Sequence, residues 1–562
     1  MKFLVYSQIN KSDVGAKLGR PEYSYYFVLE PFLPVLAKLG EVIVVHHPET
    51  EVDATFDEYT LAGERCIFIC FSPPNKSIIG LRCPTVTVFA WEFDRLPNEV
   101  WDDDPRNDWS YVLRQQGWAI TLSSDSARVV RGALGDTFDV MAIPVPVYDR
   151  FSPGLGDRSA RSPTLAARRF TFAGVAFDSG YYEITADSFS NTTPANRFGL
   201  PLWNGQTIEL DFSIGNAGVG SLGGFYEAEP WGTWSKLGQP WLIMPALLHG
   251  KFSLHLDVVG YGSNIGRSIH VIVGNDRQSL VLDNDMSTHE LVFNVEEPQA
   301  LIHLAGLDVS AIPGAADPRT MGIGMRSLRI ESIDMASASH SSTSASALML
   351  ELKGVVYTSV LNPGDDRKNW IDMLKAFCWA FRDIEDATLV LKMTHHSIGA
   401  FLGVFHYHML RIGPVKCRVV LLHGYLDSEQ FKQLIDVSTY YVNSSRCEGL
   451  CLPLMEFMSS GVPAVAPCNT AMADYVTEDS VFVVRSSREP GIWPHDPRTL
   501  LRTLRYRIDW SSLVEQLKRS YVVATSEPSR YRQMSSAASA VQRDFCSEAV
   551  VANKLRQFFR CE

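Results

Sequence analysis

The sequence lacks several features that would settle its class at once. No uninterrupted apolar run reaches the about 18 residues that a membrane-crossing helix needs. Positive charge is in short supply: 51 Lys and Arg stand against 63 Asp and Glu, a formal net charge of −12. That balance argues against nucleic acid as a partner, which would demand a broad basic face, although a basic pocket confined to one cleft stays open. The ten cysteines are scattered, and Cys66 with Cys70 and Cys447 with Cys451 miss the C-x2-C spacing of a zinc ribbon. They read as reduced structural thiols of a cytoplasmic protein. The opening "MKFLVYSQIN" has neither the longer apolar run nor the small-residue cleavage site of a secretory signal, and reads as a first strand. No D-x-D pattern follows a strand, since Asp102 to Asp104 lie in a tryptophan-rich loop, so no metal is expected.

What is present is a globular composition, 46% apolar and 20% charged, over 562 residues, enough for two to four domains. Residues 1–160 alternate apolar runs ("KFLVYSQ", "EVIVVHH", "CIFICFS", "TVTVFAW", "WAITLSS") with helical segments. Strands apolar on both faces and separated by helices imply a parallel sheet covered on both sides, a doubly wound α/β domain. Over 166–333 the texture becomes short, often alternating strands punctuated by Gly, Asn, Asp and Pro, the pattern of an antiparallel sandwich or jelly roll. Residues 334–347 are rich in Ser and Ala and read as a linker. The α/β rhythm resumes over 348–527, and 528–562 reads as one amphipathic helix. The expected architecture is therefore two Rossmann-like domains with an all-β domain set between them.

The most informative stretch is "SRCEGLCLPLMEFMSSGVPAVAP", Ser445 to Pro467. "STYYVN" before it reads as a buried strand, so Glu448 falls in the loop at that strand's carboxyl end. Pro453 suits N1 of a short helix, Gly461 its C′ position, and Glu456 its first turn. Doubly wound sheets bind ligands at this edge, and a helix N-terminus with free N–H groups suits phosphate. The plainer reading is that Glu456 caps its own helix and Glu448 is solvated.

"EGLCLPLMEFMSSGVPAVA" resembles the E-x7-E signature of retaining GT-B glycosyltransferases, specifically glycosyltransferase family 4. The resemblance implies that Glu456 binds the ribose of a nucleotide-diphospho-sugar and Glu448 lies against the transferred sugar. Ser444, Ser445, Gly449 and Leu450 would complete the donor pocket. "VVYTSVLNPGDDRKNWIDMLKAF" is similar to the family's opening C-domain strand and loop, so Arg367 and Lys368 would grip the diphosphate as its negative charge grows. The chain departs from the family at Ser359-Val360, where arginine is frequent. "VPVYDRFSP", Val145 to Pro153, resembles the exit from the family's N-domain, and Gly15 and Gly19 occupy the place of its glycine-rich loop.

On the acceptor side, Glu92 or Asp94 in "AWEFDRLP" would orient or deprotonate a hydroxyl, and Trp91 would stack on a sugar. An Asp94–Arg95 ion pair is the structural alternative. In the family the leaving phosphate itself helps deprotonate the incoming hydroxyl, so no cofactor and no metal is implied. Trp231, Trp234 and Trp241 offer either a second glycan surface or a β-domain core, and the segment is loosely similar to β-sandwich modules of bacterial surface-glycan enzymes. Adjacent His395 and His396 point to opposite faces of a strand and make a poor metal pair, as do His46 and His47. The resemblance thus implies a metal-independent, cytoplasmic glycosyltransferase of surface-polysaccharide synthesis, at the inner face of the membrane when its glycan acceptor is lipid-linked. The alternatives are a non-catalytic glycan-binding scaffold on this fold and a nucleotide-sugar epimerase.

Overall fold

The computed structural model of the chain describes residues 1–10, 14, 17–20, 22–152, 165–172, 175–178, 203, 205, 207–213, 222–226, 228–311, 317, 319–333, 348–395 and 399–560. Gly15, His396 and the linker at 334–347 lie outside them.

The first domain is a six-stranded parallel sheet of β1 (Lys2–Ser7), β2 (Glu41–Val44), β3 (Cys66–Phe71), β4 (Thr85–Phe89), β5 (Trp118–Thr121) and β6 (Asp139–Ala142), in the order β2-β1-β3-β4-β5-β6. Helices α1 (Tyr23–Ala37), α2 (Pro48–Leu61), α3 (Trp109–Gln116) and α4 (Ser124–Leu134) connect the strands, and α5 (Tyr148–Phe151) leads out. Every residue of β3 and β4 is buried, which is why those runs carry no polar face.

The next two strands correct a boundary. β7 (Leu165–Phe172) and β8 (Val175–Asp178), read from the sequence as the start of the β-domain, pair antiparallel with strands of the C-terminal domain. The chain therefore enters the C-terminal domain before it builds the β-module. That module is formed by β9 (Ile208–Asp211), β10 (Leu222–Gly223), β11 (Thr233–Trp234), β12 (Trp241–Gly260), β13 (Ser268–Val273), β14 (Asp276–Val281), β15 (Ser287–Ala305) and β16 (Ile323–Ser332). Among the described residues these eight strands form one hydrogen-bonded antiparallel sheet, where the alternation had suggested two stacked sheets. The 20-residue β12 carries register shifts after Ile243 and Leu248, and pairs with β15 on one side and β16 on the other. Its Ile243 and Leu247, with Ala300, are buried in the same cluster as the core of the C-terminal domain, which seats the module on that domain.

The C-terminal sheet contains β17 (Leu348–Leu361), β18 (Ala387–Met393), β19 (Arg418–His423), β20 (Tyr440–Val442), β21 (Ala464–Pro467) and β22 (Val481–Val484), parallel in the order β22-β21-β20-β17-β18-β19. β17 serves two pairings: Leu348–Leu352 lie against β7, and Val355–Leu361 enter the parallel sheet. The changeover is at Gly354, φ +74°, where a Cβ would stand 2.0 Å from the Asp386 carbonyl oxygen, so only glycine fits. Helices α6 (Trp370–Ala380), α7 (Gly399–Ile412), α8 (Ser428–Asp436) and α9 (Leu452–Ser459) flank the sheet.

A two-stranded hairpin, β23 (Ser486–Ile492) with β24 (Arg502–Ile508), follows β22, and α10 (Trp510–Ser526) follows it. The final segment, expected as one helix, is two: α11 (Pro528–Cys546) and α12 (Glu548–Phe559), broken at Ser547 with ψ 153°. In α11, Ser535 and Ser539 donate to the carbonyls of Gly461 and Ser459, so this helix stays on the C-terminal domain. α12 crosses to the first domain, where Phe559 meets Phe3, Phe558 stacks on Trp118, and Arg65 donates to the Phe559 carbonyl.

Candidate active site between the facing sheet edges

The carboxyl ends of the two parallel sheets meet. The loop after β4 brings Ala90 and Trp91 so close to Gly449 that a Cβ there would lie 2.8 Å from the Ala90 Cβ. The loop after β1 brings Gly19, φ +67°, against Thr394 and His395 beyond β18. At the seam sits Glu448, 3% exposed. Its Oε1 accepts from Lys368 Nζ and Ser445 Oγ, each at 2.6 Å, and its Oε2 pairs with Arg367 Nη1 at 2.7 Å. Its backbone N–H donates to Thr470 Oγ1 at 2.9 Å. Burial alone would raise this carboxyl, but Lys368 and Arg367 beside it hold it at about 2.

Arg367 is also shared. Its Nε lies 3.1 Å from Glu92 Oε1 of the first domain and 2.9 Å from Asp365 Oδ2. Burial raises the Glu92 carboxyl against the pull of Arg367. Three carboxylates thus converge on two cations, and the cluster carries no surplus positive charge when all five are ionised.

Other expected site residues take structural roles. Ser444, fully buried, donates to the carbonyls of Lys368 and Asn369, and Leu450 is a core residue whose carbonyl accepts from Tyr475. Asp94 forms its hydrogen bond with the Leu504 N–H at 2.7 Å, on the β23–β24 hairpin. Trp91 offers no face to a sugar: it is 3% exposed, donates from Nε1 to the Arg95 carbonyl, and packs with Phe93, Trp109 and Trp493. The hairpin covers this region, with Trp493 buried among first-domain tryptophans and Arg498 paired to Glu99.

Glu456 stands at the start of the second turn of α9, one residue later than expected, because Leu452 opens the helix and Pro453 is its second residue. Its charged neighbours are Arg150 and Glu30, a different pair from those at Glu448. Burial pushes its carboxyl up to about 7, with Arg150 opposing. Gly461 does close the helix with φ +74°. A narrow recess beside Glu448 is lined by Ser359, Val360, Tyr441, Asn443, Ser445 and Lys368, so the serine at which this chain departs from the resembled family faces the site.

One residue the sequence reading passed over is Lys392, in the apolar run "ATLVLKM" of β18. It is 4% exposed, and among the described residues its Nζ contacts only the Met393 carbonyl and Thr394 Oγ1, each at 3.4 Å. A lone lysine inside an otherwise apolar strand was the available signal. In the β-module, Trp241 lies on Gly223 and packs toward the C-terminal core, apart from the partly buried Trp231, Trp234 and Tyr261 cluster. Among the described residues no group of His, Cys, Asp and Glu is arranged to hold a metal, and no helix is long and apolar enough to cross a membrane. The nine described cysteines are free thiols, eight of them buried.

Residues 203–332 match a family described as a domain of unknown function (DUF7024). Phosphoglycerol transferase I of Salmonella arizonae is 36% identical over 119 residues, 20% of this chain and 16% of that protein. The same enzyme of Salmonella typhi is 35% identical over 123 residues, 21% of this chain. The chain thus spans 16% of the length of these curated relatives. Among solved structures, the pneumococcal O-GlcNAc transferase GtfA with UDP and GlcNAc aligns at TM-score 0.27 and 14% identity, over 36% of this chain and 35% of that one. Anabaena HepE with UDP and glucose aligns at 0.28 and 13%, over 37% and 48%. Superpositions this partial carry no argument for the chemistry of the present chain. The site is therefore defined by its own geometry: a buried carboxylate, held by two cations, where two parallel sheets face each other edge to edge.

Proposed function

We propose that this chain is a glycosyltransferase of GT-B type that moves a sugar from a nucleotide-diphospho-sugar to a glycan acceptor, retaining the anomeric configuration, in bacterial surface-polysaccharide synthesis. The observation that carries the reading is the position of Glu448, fixed by Arg367, Lys368 and Ser445 in the seam between the two facing sheets, where doubly wound domains bind ligands. A carboxylate kept ionised in a water-poor seam is suited to holding sugar hydroxyls or a developing positive charge at the anomeric carbon. Glu92 reaches the same cluster from the opposite domain and is the candidate for the acceptor hydroxyl. Glu456, beside Arg150, is assigned to the ribose end of the donor. The β-module, through Trp231 and Trp234, is a candidate second glycan surface. No metal enters this reading.

A second reading, a glycan-binding protein that does not turn over, is favoured by one feature: both cluster cations already have internal carboxylate partners. The test is a thermal-shift and turnover screen of the full chain against UDP-, GDP- and dTDP-sugars, with E448Q as control. Sugar release with one donor, lost in E448Q, supports transfer. Nucleotide binding without release, or no binding at all, sinks it.

A further inference from the structure

Lys392 is the buried cation that the cleft leaves uncompensated. Its Cα is in register with Val360 on the neighbouring strand, one residue from the carboxyl edge of the sheet, and Val360 lines the recess beside Glu448. Among the described residues no carboxylate pairs with it, and two contacts at 3.4 Å fall short of the three acceptors an ammonium seeks. Burying such a charge without a counter-ion is costly, and burial pulls the amine down to about 7. A core position on a central strand would be filled more stably by methionine or leucine.

The sheet edge next to Lys392 is held by backbone bonds and closely approached from the first domain. Thr394 N–H is fixed to the Leu361 carbonyl at 2.7 Å, and His423 Nε2 bonds the His395 carbonyl at 2.7 Å, so the lip above Lys392 is rigid. Glycines stand on both sides of that lip: Gly19 from the first domain and Gly364, whose Cβ would fall 3.5 Å from the His395 ring. Arg367 and Lys368, by contrast, face Glu448, Glu92 and Asp365 and have no charge to spare.

We infer that Lys392 is the anion-contacting residue of the cleft and takes a phosphate oxygen of the donor diphosphate, in a site whose arginine and lysine pair is already neutralised. The inference rests on the transferase reading for the identity of the ligand, though not for the anion site itself.

Isothermal titration of the full chain with pyrophosphate, with UDP, GDP and dTDP, and with the corresponding nucleosides separates the two. Pyrophosphate and one nucleoside diphosphate are expected to bind wild type and to bind K392M about 10- to 100-fold more weakly, with K392R partly restored and the nucleoside alone unaffected. K392M is also expected to melt above wild type, because an unpaired buried charge has been removed. Pyrophosphate binding that depends on Lys392, with no nucleotide bound, keeps the anion site and overturns the nucleotide-sugar reading. Equal affinity in K392M, no binding of any probe, or a melting temperature lowered by the substitution overturns the inference.

Discussion

Asp94 and Leu504 are 410 residues apart, and the Asp94 carboxylate accepts the Leu504 N–H at 2.7 Å. This bond is part of a strap. Among the described residues the β23–β24 hairpin pairs only with itself, yet it holds the site loops through Arg505 to Asp366 and Tyr506 N–H to the Arg446 carbonyl, and holds the first domain through Trp493 and Arg498. It ties the two halves of the molecule directly over the region read as the acceptor side.

Removing the strap's anchor should loosen the halves. Trp493 is 6% exposed in a cluster with Trp91, Trp101 and Trp109. W493A is expected to cost about 3–5 kcal/mol in denaturant unfolding and to raise the radius of gyration in small-angle scattering. Unchanged scattering would mean that the other contacts close the cleft by themselves.

Gly449 tests how tightly the halves meet. A methyl group there would stand 2.8 Å from the Ala90 Cβ and 3.0 Å from the Trp91 nitrogen, both on the opposite domain. G449A should destabilise by about 1–3 kcal/mol, the usual cost of overpacking. An alanine variant as stable as wild type would show that the seam yields freely.

Glu448 titrates far below the ordinary carboxylate value of 4.5, at about 2. Its folded-state value is depressed, so its stabilising contribution is present above pH 4.5 and is lost as pH falls toward 2. E448Q should abolish sugar transfer, lose roughly 3–5 kcal/mol at neutral pH by taking from buried Lys368 its carboxylate partner and from Arg367 one of three, and show a shallower acid limb between those values. Melting curves from pH 2 to 7 give the comparison, and parallel limbs for both chains would remove the ion pairs as the cause.

Glu456 has the opposite sign. Its carboxyl is raised from 4.5 to about 7, so it favours folding fully below pH 4.5 and progressively opposes it as pH rises through 7. E456Q and wild type should be matched at pH 4.5, with the glutamine variant ahead by on the order of 1–3 kcal/mol at pH 8. A wild type that stays equal to E456Q at pH 8 would mean that Arg150 fully compensates the charge.

Much of this was legible as local pattern. The buried strands stood out as apolar runs because both their faces are covered, and the Glu448 loop was bracketed by a strand before it and by Pro453 and Gly461 after it. Partnership was not legible. "RFTFAG" was correctly a strand, but alternation does not say that β7 pairs with β17, because the pairing is made with residues about 180 positions away. Arg367 and Lys368 were read as free cations, since nothing near them in sequence announces Glu448, 80 and 81 residues on, or Glu92 from the other domain. Trp91 reads as a surface platform in sequence because its cover, Trp493, lies 402 residues later in a segment whose Pro490, Pro494 and Pro497 mask the hairpin pattern. The break at Ser547 was hidden because both helices carry the same apolar spacing.

The crossing of α12 has a consequence for synthesis. Phe3, on β1, packs against Phe559, on α12, and Trp118 takes Phe558 and Phe559. A chain emerging from the ribosome ordinarily completes its N-terminal domain first. Here the first domain's apolar surface at Phe3 and Trp118 waits, uncovered, until translation has passed Phe559. The first domain is thus completed only after the C-terminal domain has been made, and a chain stalled short of α12 presents that surface to chaperones.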